Sequence, residues 1–322
     1  MSKSSKFICF APIFFFSFFF FGFSFCSSTI SAFAISTFRV SIAQTTNISQ
    51  IFPQGTEVKK LAGDFVFTEG PAADKHGNVY FTDQPNDRIM IWTIKGELIT
   101  FMQPAGRSNG LFFDRDGNLW ACADEKNELW KITPDKKVEV VANKYNDSLF
   151  NGPNDLWISS DGKIYFTDPF YRRTWWSHTQ KPQDKQCVYY LSPDHKTLTR
   201  VIDDLVQPNG IIGTPDGKIL YVADIGDRKT WYYKINPDGS VSDKKLFCNM
   251  GSDGMTIDNN GNIYLTGNGV TVFDKTGKLI INIPVPEKWT ANVCFGGKNR
   301  RILFITASTG LYAIQTKVKG VY

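Results

Sequence analysis

Histidine is scarce in this sequence, with three residues in a chain of 322. His76 and His195 fall in turn sequences and His178 lies in an insertion, so a histidine-centred active site is not expected. No Gly-x-Ser-x-Gly nucleophile elbow occurs, and the sequence around Ser252 does not fit one. With these groups missing, metal-dependent chemistry is the best remaining route to catalysis.

Runs of basic residues are also missing, which argues against a nucleic-acid partner. The formal charge is +5, and it falls to +2 without residues 1–43, which carry three basic residues and no acid. Residues 44–322 hold four widely spaced cysteines, which match neither a zinc ribbon nor a dense disulfide scaffold. We expect buried thiols or a single bridge, and no obligate protein partner is evident.

Long apolar runs are absent except at the N-terminus, where residues 7–25 are almost continuously apolar after two lysines. This pattern is typical of a secretory signal, and Ser41-Ile42-Ala43 offers a small-residue cleavage site. We predict a signal peptide over residues 1–43 and a linker over 44–56, with an extracytoplasmic (periplasmic or secreted) protein. The run is long enough for an uncleaved anchor, the one case in which the protein would contact a membrane.

What the chain does contain is a repeat of short β-rich runs, each preceded by a turn with Asp or Asn and Gly. Glycine supplies the positive φ that a tight hairpin needs. In five repeats, one polar residue lies eight residues before the turn glycine, and we call this residue the anchor. A sixth repeat lacks the turn glycine. The anchors are Glu69, Asn109, Asn154, Asn209, Asp253 and Asn292.

The anchors are 40, 45, 55, 44 and 39 residues apart, which is the period of a four-stranded propeller blade. The sequence therefore predicts an all-β, six-bladed β-propeller over residues 57–322. The sixth blade has room for only three strands, so the segment 57–67 is expected to supply the fourth and close the ring. The longest interval contains an aromatic-rich insertion at about 170–185.

In a propeller, equivalent positions on the innermost strands form a ring around the axis. Every anchor carries a side-chain oxygen, and two of them, Glu69 and Asp253, are acidic. Hard cations such as Ca²⁺ bind six to eight oxygens of this kind. The ring thus predicts a divalent-cation site, with calcium preferred and Zn²⁺, Mg²⁺ or Mn²⁺ left open. Two alternatives are that the Asn-Gly pairs are only turn signals, or that the ring holds water.

An ordered set of short motifs resembles the SMP-30/gluconolactonase/luciferin-regenerating family over about residues 60–316. The motifs are Glu69-Gly70-Pro71, Pro153-Asn154-Asp155, Tyr165-Phe166-Thr167-Asp168-Pro169, Pro208-Asn209-Gly210, Asp253-Gly254-Met255 and Phe295-Gly296-Gly297. The resemblance implies a six-bladed propeller with one central divalent cation.

By this resemblance, Glu69, Asn209 and Asp253 would hold the metal, and Asn154 would be a further ligand or a substrate contact. Asp253 would also be the catalytic residue that handles the proton. Asn109 is a further candidate for substrate binding. Animal members carry an arginine two residues before the third anchor, where this chain has Gly152.

Recognition of sugar hydroxyls must therefore differ locally. Arg107, or the pair Arg172 and Arg173, would then take over that task, unless these arginines are only solvated. From the insertion, Tyr171, Trp175 and Trp176 are expected to line the rim, because sugar faces pack on aromatic rings; the alternative is a simply packed loop.

The predicted activity is metal-dependent hydrolysis of a sugar lactone to its aldonic acid, with a small-molecule lactone as substrate. A phosphotriesterase-like hydrolase on the same metal is the alternative enzyme. The non-enzyme alternative is an extracytoplasmic binding propeller whose cation is structural.

Overall fold

The computed structural model describes residues 48–322, and within them the protein is all-β. Its 26 strands form six four-stranded antiparallel sheets and one small hairpin. The innermost strand of each sheet contacts that of the next, and the last contacts the first, so the sheets close a ring. The predicted six-bladed propeller is confirmed.

Each blade is a simple up-and-down meander, which the short Asp/Asn-Gly turns permit. Strand β1 comprises Lys59–Ala62, and blades one to three then follow in chain order. Blade one contains β2 Thr68–Ala73, β3 Val79–Asp83, β4 Arg88–Trp92 and β5 Leu98–Met102. Blade two contains β6 Ser108–Phe113, β7 Leu119–Ala123, β8 Glu128–Ile132 and β9 Val138–Ala142. The hairpin β10 Lys144–Tyr145 and β11 Ser148–Leu149 precedes blade three, which contains β12 Leu156–Ile158, β13 Ile164–Asp168, β14 Cys187–Leu191 and β15 Leu198–Ile202.

The remaining three blades repeat this order. Blade four contains β16 Pro208–Gly213, β17 Ile219–Asp224, β18 Lys229–Ile235 and β19 Val241–Cys248. Blade five contains β20 Met255–Ile257, β21 Ile263–Gly267, β22 Gly269–Phe273 and β23 Leu279–Ile283. Blade six contains β24 Thr290–Gly296, β25 Ile302–Ala307 and β26 Gly310–Gln315.

The fourth strand of blade six is β1, which pairs antiparallel with β26. A segment from before the first blade thus completes the last one, as the sequence predicted. This pairing covers the outer edge of β26 and joins the two ends of the propeller in one sheet.

The small residues that follow most anchors let neighbouring blades approach closely at the axis. A Cβ atom on Gly70 would lie 2.1 Å from the carbonyl oxygen of Asn109, and one on Gly110 would lie 2.6 Å from that of Asn154. The Gly110 amide donates to this Asn154 carbonyl at 2.7 Å. The contact between blades therefore requires glycine at both positions, and Gly70 also has a positive φ of +45°.

The apolar core lies between the blades, where alternate strand residues of adjacent sheets meet. Its largest fully buried side chains include Trp120, Trp157, Tyr165, Tyr189 and Tyr264. The four cysteines of the described residues, Cys122, Cys187, Cys248 and Cys294, are buried and free. Of the two expectations from the sequence, buried thiols are found and a disulfide bridge between these four residues is not.

The predicted linker 44–56 packs against the propeller in its second half. Ile51 and Phe52 are buried in the core cluster that contains Tyr264 and Tyr312. The predicted signal segment 1–43 lies outside the described residues. Among residues 48–322, no helix has the length and apolar character needed to cross a membrane.

Candidate metal and active site

The six anchors stand at one end of the innermost strands. Glu69, Asn109, Asn209 and Asn292 lie within β2, β6, β16 and β24. Asn154 and Asp253 each precede their strand by one intervening residue. Five of the six side chains are at most 5% exposed, and Asp253 is partly exposed. Burial of so many polar groups at one place requires partners or a ligand.

Asn209 and Asp253 are joined directly. The Asn209 amide Nδ2 donates to Asp253 Oδ1 at 2.8 Å and to the Tyr171 hydroxyl at 2.9 Å. The other oxygen of Asp253 accepts a hydrogen bond from Trp289 Nε1 at 2.5 Å. These donors fix the orientation of the Asp253 carboxylate, and Trp289 is a site residue that sequence reasoning missed.

Glu69 lies where a negative charge is costly. Burial and the charge of Asp253 raise its pKa well above the usual value, against a hydrogen bond from the Gly70 amide to Oε2 at 2.7 Å. Burial also raises the pKa of Asp253 to about 6, although Trp289 and Asn209 donate to it. The two carboxylates therefore repel each other.

Asp155 is a third buried carboxyl group, and the sequence did not single it out as a site residue. It occupies the position after the anchor where four other blades have glycine. Its Oδ1 accepts from the Leu156 amide at 2.9 Å, and Asn292 Nδ2 is 3.3 Å from Oδ2. Burial raises the pKa of Asp155 to about 7, and its charge adds to the cost of ionising Glu69. The sequence signal that could have identified Asp155 is an aspartate at a position where four other repeats have glycine.

The chemistry of these groups fits a hard divalent cation. Because Asn209 Nδ2 already donates two hydrogen bonds, its Oδ1 is left as a buried acceptor without a partner among the described residues. The Asn109 Oδ1 is likewise buried and unpartnered. Orphaned amide oxygens beside two repelling carboxylates are donors that Ca²⁺ accepts.

The site differs from a carboxylate- or histidine-rich metal centre. Within residues 48–322, no group of three or more His, Cys, Asp or Glu side chains is arranged to bind a metal. Glu69 and Asp253 would provide the charge, and asparagine oxygens would provide the remaining protein ligands. Asn154 is 4% exposed, and its side chain makes no hydrogen bond with the described residues, so it also remains free to bind a ligand.

The insertion folds over this end of the propeller. Tyr171 reaches Asn209, as described above, and the Trp175 ring lies between two guanidinium groups, at 4.6 Å from Arg107 and 5.6 Å from Arg173. Trp176 stacks on His178 at 4.7 Å and donates its indole N–H to the Asp124 carbonyl at 2.7 Å. These contacts pack the three aromatic side chains of the insertion against Asn209, Arg107 and Asp124.

Arg107 serves mainly to hold the loop before the second anchor. Its amide donates to Asp87 Oδ1 at 2.7 Å, and its Nη1 donates to the Pro85 carbonyl at 2.6 Å. Arg172 is exposed. Of the three arginines considered for substrate recognition, Arg173 alone forms a close ion pair, with Asp124 at 2.7 Å.

Gly152 marks the place where the chain departs from the animal pattern. Its φ is +149°, and a Cβ atom there would lie 2.7 Å from the Trp176 ring and 2.9 Å from Asp124 Oδ1. The insertion therefore fills the space that a side chain at residue 152 would need.

Comparison with known proteins is consistent with this arrangement. Residues 67–309 match the model of the SMP-30/gluconolactonase/LRE-like region. The gluconolactonase of Zymomonas mobilis is 30% identical over 304 residues, covering 85% of each chain. The lactonohydrolase OryL of Aspergillus oryzae is 26% identical over 247 residues, covering 65% of this chain and 56% of its own. A solved gluconolactonase structure from Xanthomonas campestris superposes with a TM-score of 0.78 at 26% identity, covering 84% of this chain and 92% of its own.

Proposed function

Because the chain belongs to the SMP-30/gluconolactonase/LRE-like family, we propose that it is a lactonase that opens a sugar lactone to the aldonic acid. The Asn209–Asp253 pair carries this proposal, because it places an oriented carboxylate beside an unpartnered amide oxygen. The gluconolactonase and lactonohydrolase relatives support the same reaction.

We further propose that the reaction depends on one divalent cation, with calcium as the preferred ion. Glu69, Asn209 and Asp253 would hold it, with Asn154 as a further ligand or substrate contact. The support is the donor set itself, which combines two repelling carboxylates with orphaned amide oxygens. When bound, the cation would polarise the lactone carbonyl and lower the pKa of a bound water.

Asp253 would move the proton. As general base it would take a proton from water while the water oxygen attacks the carbonyl carbon, and it would return that proton to the ring oxygen as the C–O bond breaks. Trp289 and Asn209 would keep the carboxylate in place during both transfers.

The N-terminal segment leads us to propose an extracytoplasmic location. Residues 1–43 carry the basic start, apolar run and small-residue site of a secretory signal. The lactone would then be met outside the cytoplasm.

A lactone panel before and after chelation tests the function and its metal dependence. We expect turnover of D-glucono-1,5-lactone that is lost on removing divalent cations and is restored best by calcium. A phosphotriester such as paraoxon belongs in the same panel, and preferential turnover of it would favour the alternative enzyme. Full lactonase activity in demonstrably metal-free protein would contradict metal dependence. Binding of gluconolactone without turnover in metal-loaded protein would favour the binding propeller.

A further inference from the structure

The repeat contains a structural aspartate at the end of the second strand in several blades. In blades one, three and four, this carboxylate accepts hydrogen bonds from two backbone amides of the loop that leads to the anchor. The pairs are Asp83 with the amides of Val66 and Phe67, Asp168 with those of Asn151 and Gly152, and Asp224 with those of Val206 and Gln207. In these blades the aspartate therefore has a role in the fold.

Blade two has no carboxylate at this position, because the residue equivalent to Asp83 is Ala123, and Asp124 is the residue after it. The amides of Ala105 and Arg107 in the corresponding loop donate to Asp87 instead. Asp124 Oδ2 accepts hydrogen bonds from Arg173 Nε at 2.7 Å and from Gln84 Nε2 at 3.0 Å. Asp124 is therefore not one of the repeated loop-holding aspartates, and its carboxylate pairs with the insertion instead.

The Arg173–Asp124 pair is largely withdrawn from water. The Asp124 side chain is 2% exposed and that of Arg173 is 21% exposed. Buried ion pairs contribute little net stability, because desolvation of both charges offsets their attraction. Since the loop of blade two is held by Asp87, stability alone does not account for the pair.

Arg173 lies close to the candidate site. Its guanidinium group lies 5.6 Å from the Tyr171 ring, and the Tyr171 hydroxyl accepts the hydrogen bond from Asn209. Asn209 in turn donates to Asp253 Oδ1, so the Tyr171 ring alone lies between the guanidinium group and the Asn209–Asp253 pair. Nε is bound to Asp124, but the two terminal nitrogens make no hydrogen bond with the described residues. Four N–H donors are thus held beside the candidate active site.

We propose that Arg173, fixed by Asp124, is a specificity-determining residue that donates hydrogen bonds to the hydroxyl groups of the lactone. This inference rests on the proposed lactonase function and adds the selection of hydroxylated over unsubstituted lactones. Because Asp124 neutralises the guanidinium charge, the pair favours a neutral polyol over an anionic ligand. Two terminal nitrogens in one plane match two adjacent hydroxyl oxygens.

The test compares Arg173→Met with the wild type on D-glucono-1,5-lactone and on δ-valerolactone, which has the same ring without hydroxyl groups. We expect kcat/KM for gluconolactone to fall about 10- to 100-fold, the usual effect of losing a hydrogen bond to a charged group. The fall for δ-valerolactone should stay within about threefold, and Arg173→Lys should retain part of the discrimination. Arg115→Met is the control, because Arg115 is exposed in the turn after β6, at the opposite end of that strand from the anchor, and it should leave the ratio unchanged.

A binding measurement separates this inference from the proposed function. Trp175 lies against Arg173, so tryptophan fluorescence can follow titration with glucono-1,5-lactam and δ-valerolactam, which are the amide analogues of the two lactones. Weaker binding of the hydroxylated lactam alone to Arg173→Met supports the inference even if lactone turnover fails. Equal losses for both ring types, in turnover or in binding, would show that Arg173 is only structural and would leave the lactonase proposal intact.

Discussion

Replacing Asp253 by asparagine should separate proton transfer from metal binding. The variant keeps an amide oxygen for the cation but removes one charge and the proton acceptor. Loss of a general base typically lowers kcat by about 10²–10⁴-fold, equivalent to about 3–5.5 kcal/mol of activation free energy. We therefore expect turnover to stay low even at saturating calcium.

The local contacts set the cost of this substitution to the fold. Asp253 accepts hydrogen bonds on both oxygens, from Asn209 and Trp289, so the new amide NH₂ must face one donor. A lost hydrogen bond of this kind costs about 1–3 kcal/mol in stability, which thermal unfolding can measure separately. The variant should remain folded at assay temperature.

Glu69→Gln is the matched comparison. Its side-chain oxygen can still accept the Gly70 amide, whereas the metal loses a negative ligand. Metal affinity should fall, and excess calcium should restore part of the rate. The assay is kcat against free calcium for both variants, with bound metal counted. Equal rescue of the two would show that Asp253 only holds the cation, and an unchanged rate in metal-loaded Asp253→Asn would remove it from the chemistry.

Three further predictions concern packing, electrostatics and processing. Gly254→Ala should destabilise the protein by about 1–3 kcal/mol, because its Cβ would lie 1.9 Å from Asn292 Cγ, and an unchanged denaturation midpoint would contradict this. Arg173→Met should be less stable than the wild type, and the difference should grow from pH 5 to pH 8. Burial raises the pKa of Asp124 to about 6, and removal of the arginine raises it further, so ionisation of this carboxyl at higher pH opposes folding of the variant more strongly. The loss should be about 1.4 kcal/mol per unit of added pKa shift, measured by urea unfolding, and its pH dependence should vanish in an Asp124→Asn background. N-terminal sequencing of the native protein should find Gln44 first, and Met1 on a membrane-bound form would favour the anchor.

The repeat made the fold readable from sequence. Turn glycines and anchors at a constant offset are local features, since a hairpin needs positive φ at a fixed place and each blade forms from one continuous segment. The six blades, and the closure of the last by β1, follow from that regularity. The same regularity brought out the anchors Glu69, Asn209 and Asp253 as candidates, because equivalent positions in a ring face a common axis.

The tertiary structure decided the contacts between segments that no period relates. Trp289 reaches Asp253 from another blade, and Arg173 reaches Asp124 across 49 residues. Asp155 is important because it is buried beside other carboxylates, which its position in a turn sequence does not indicate. Sequence periodicity specifies where a side chain starts, but burial, pKa and partner depend on which segments pack around it. The chemistry of the site therefore became specific only when the blades and the insertion were assembled.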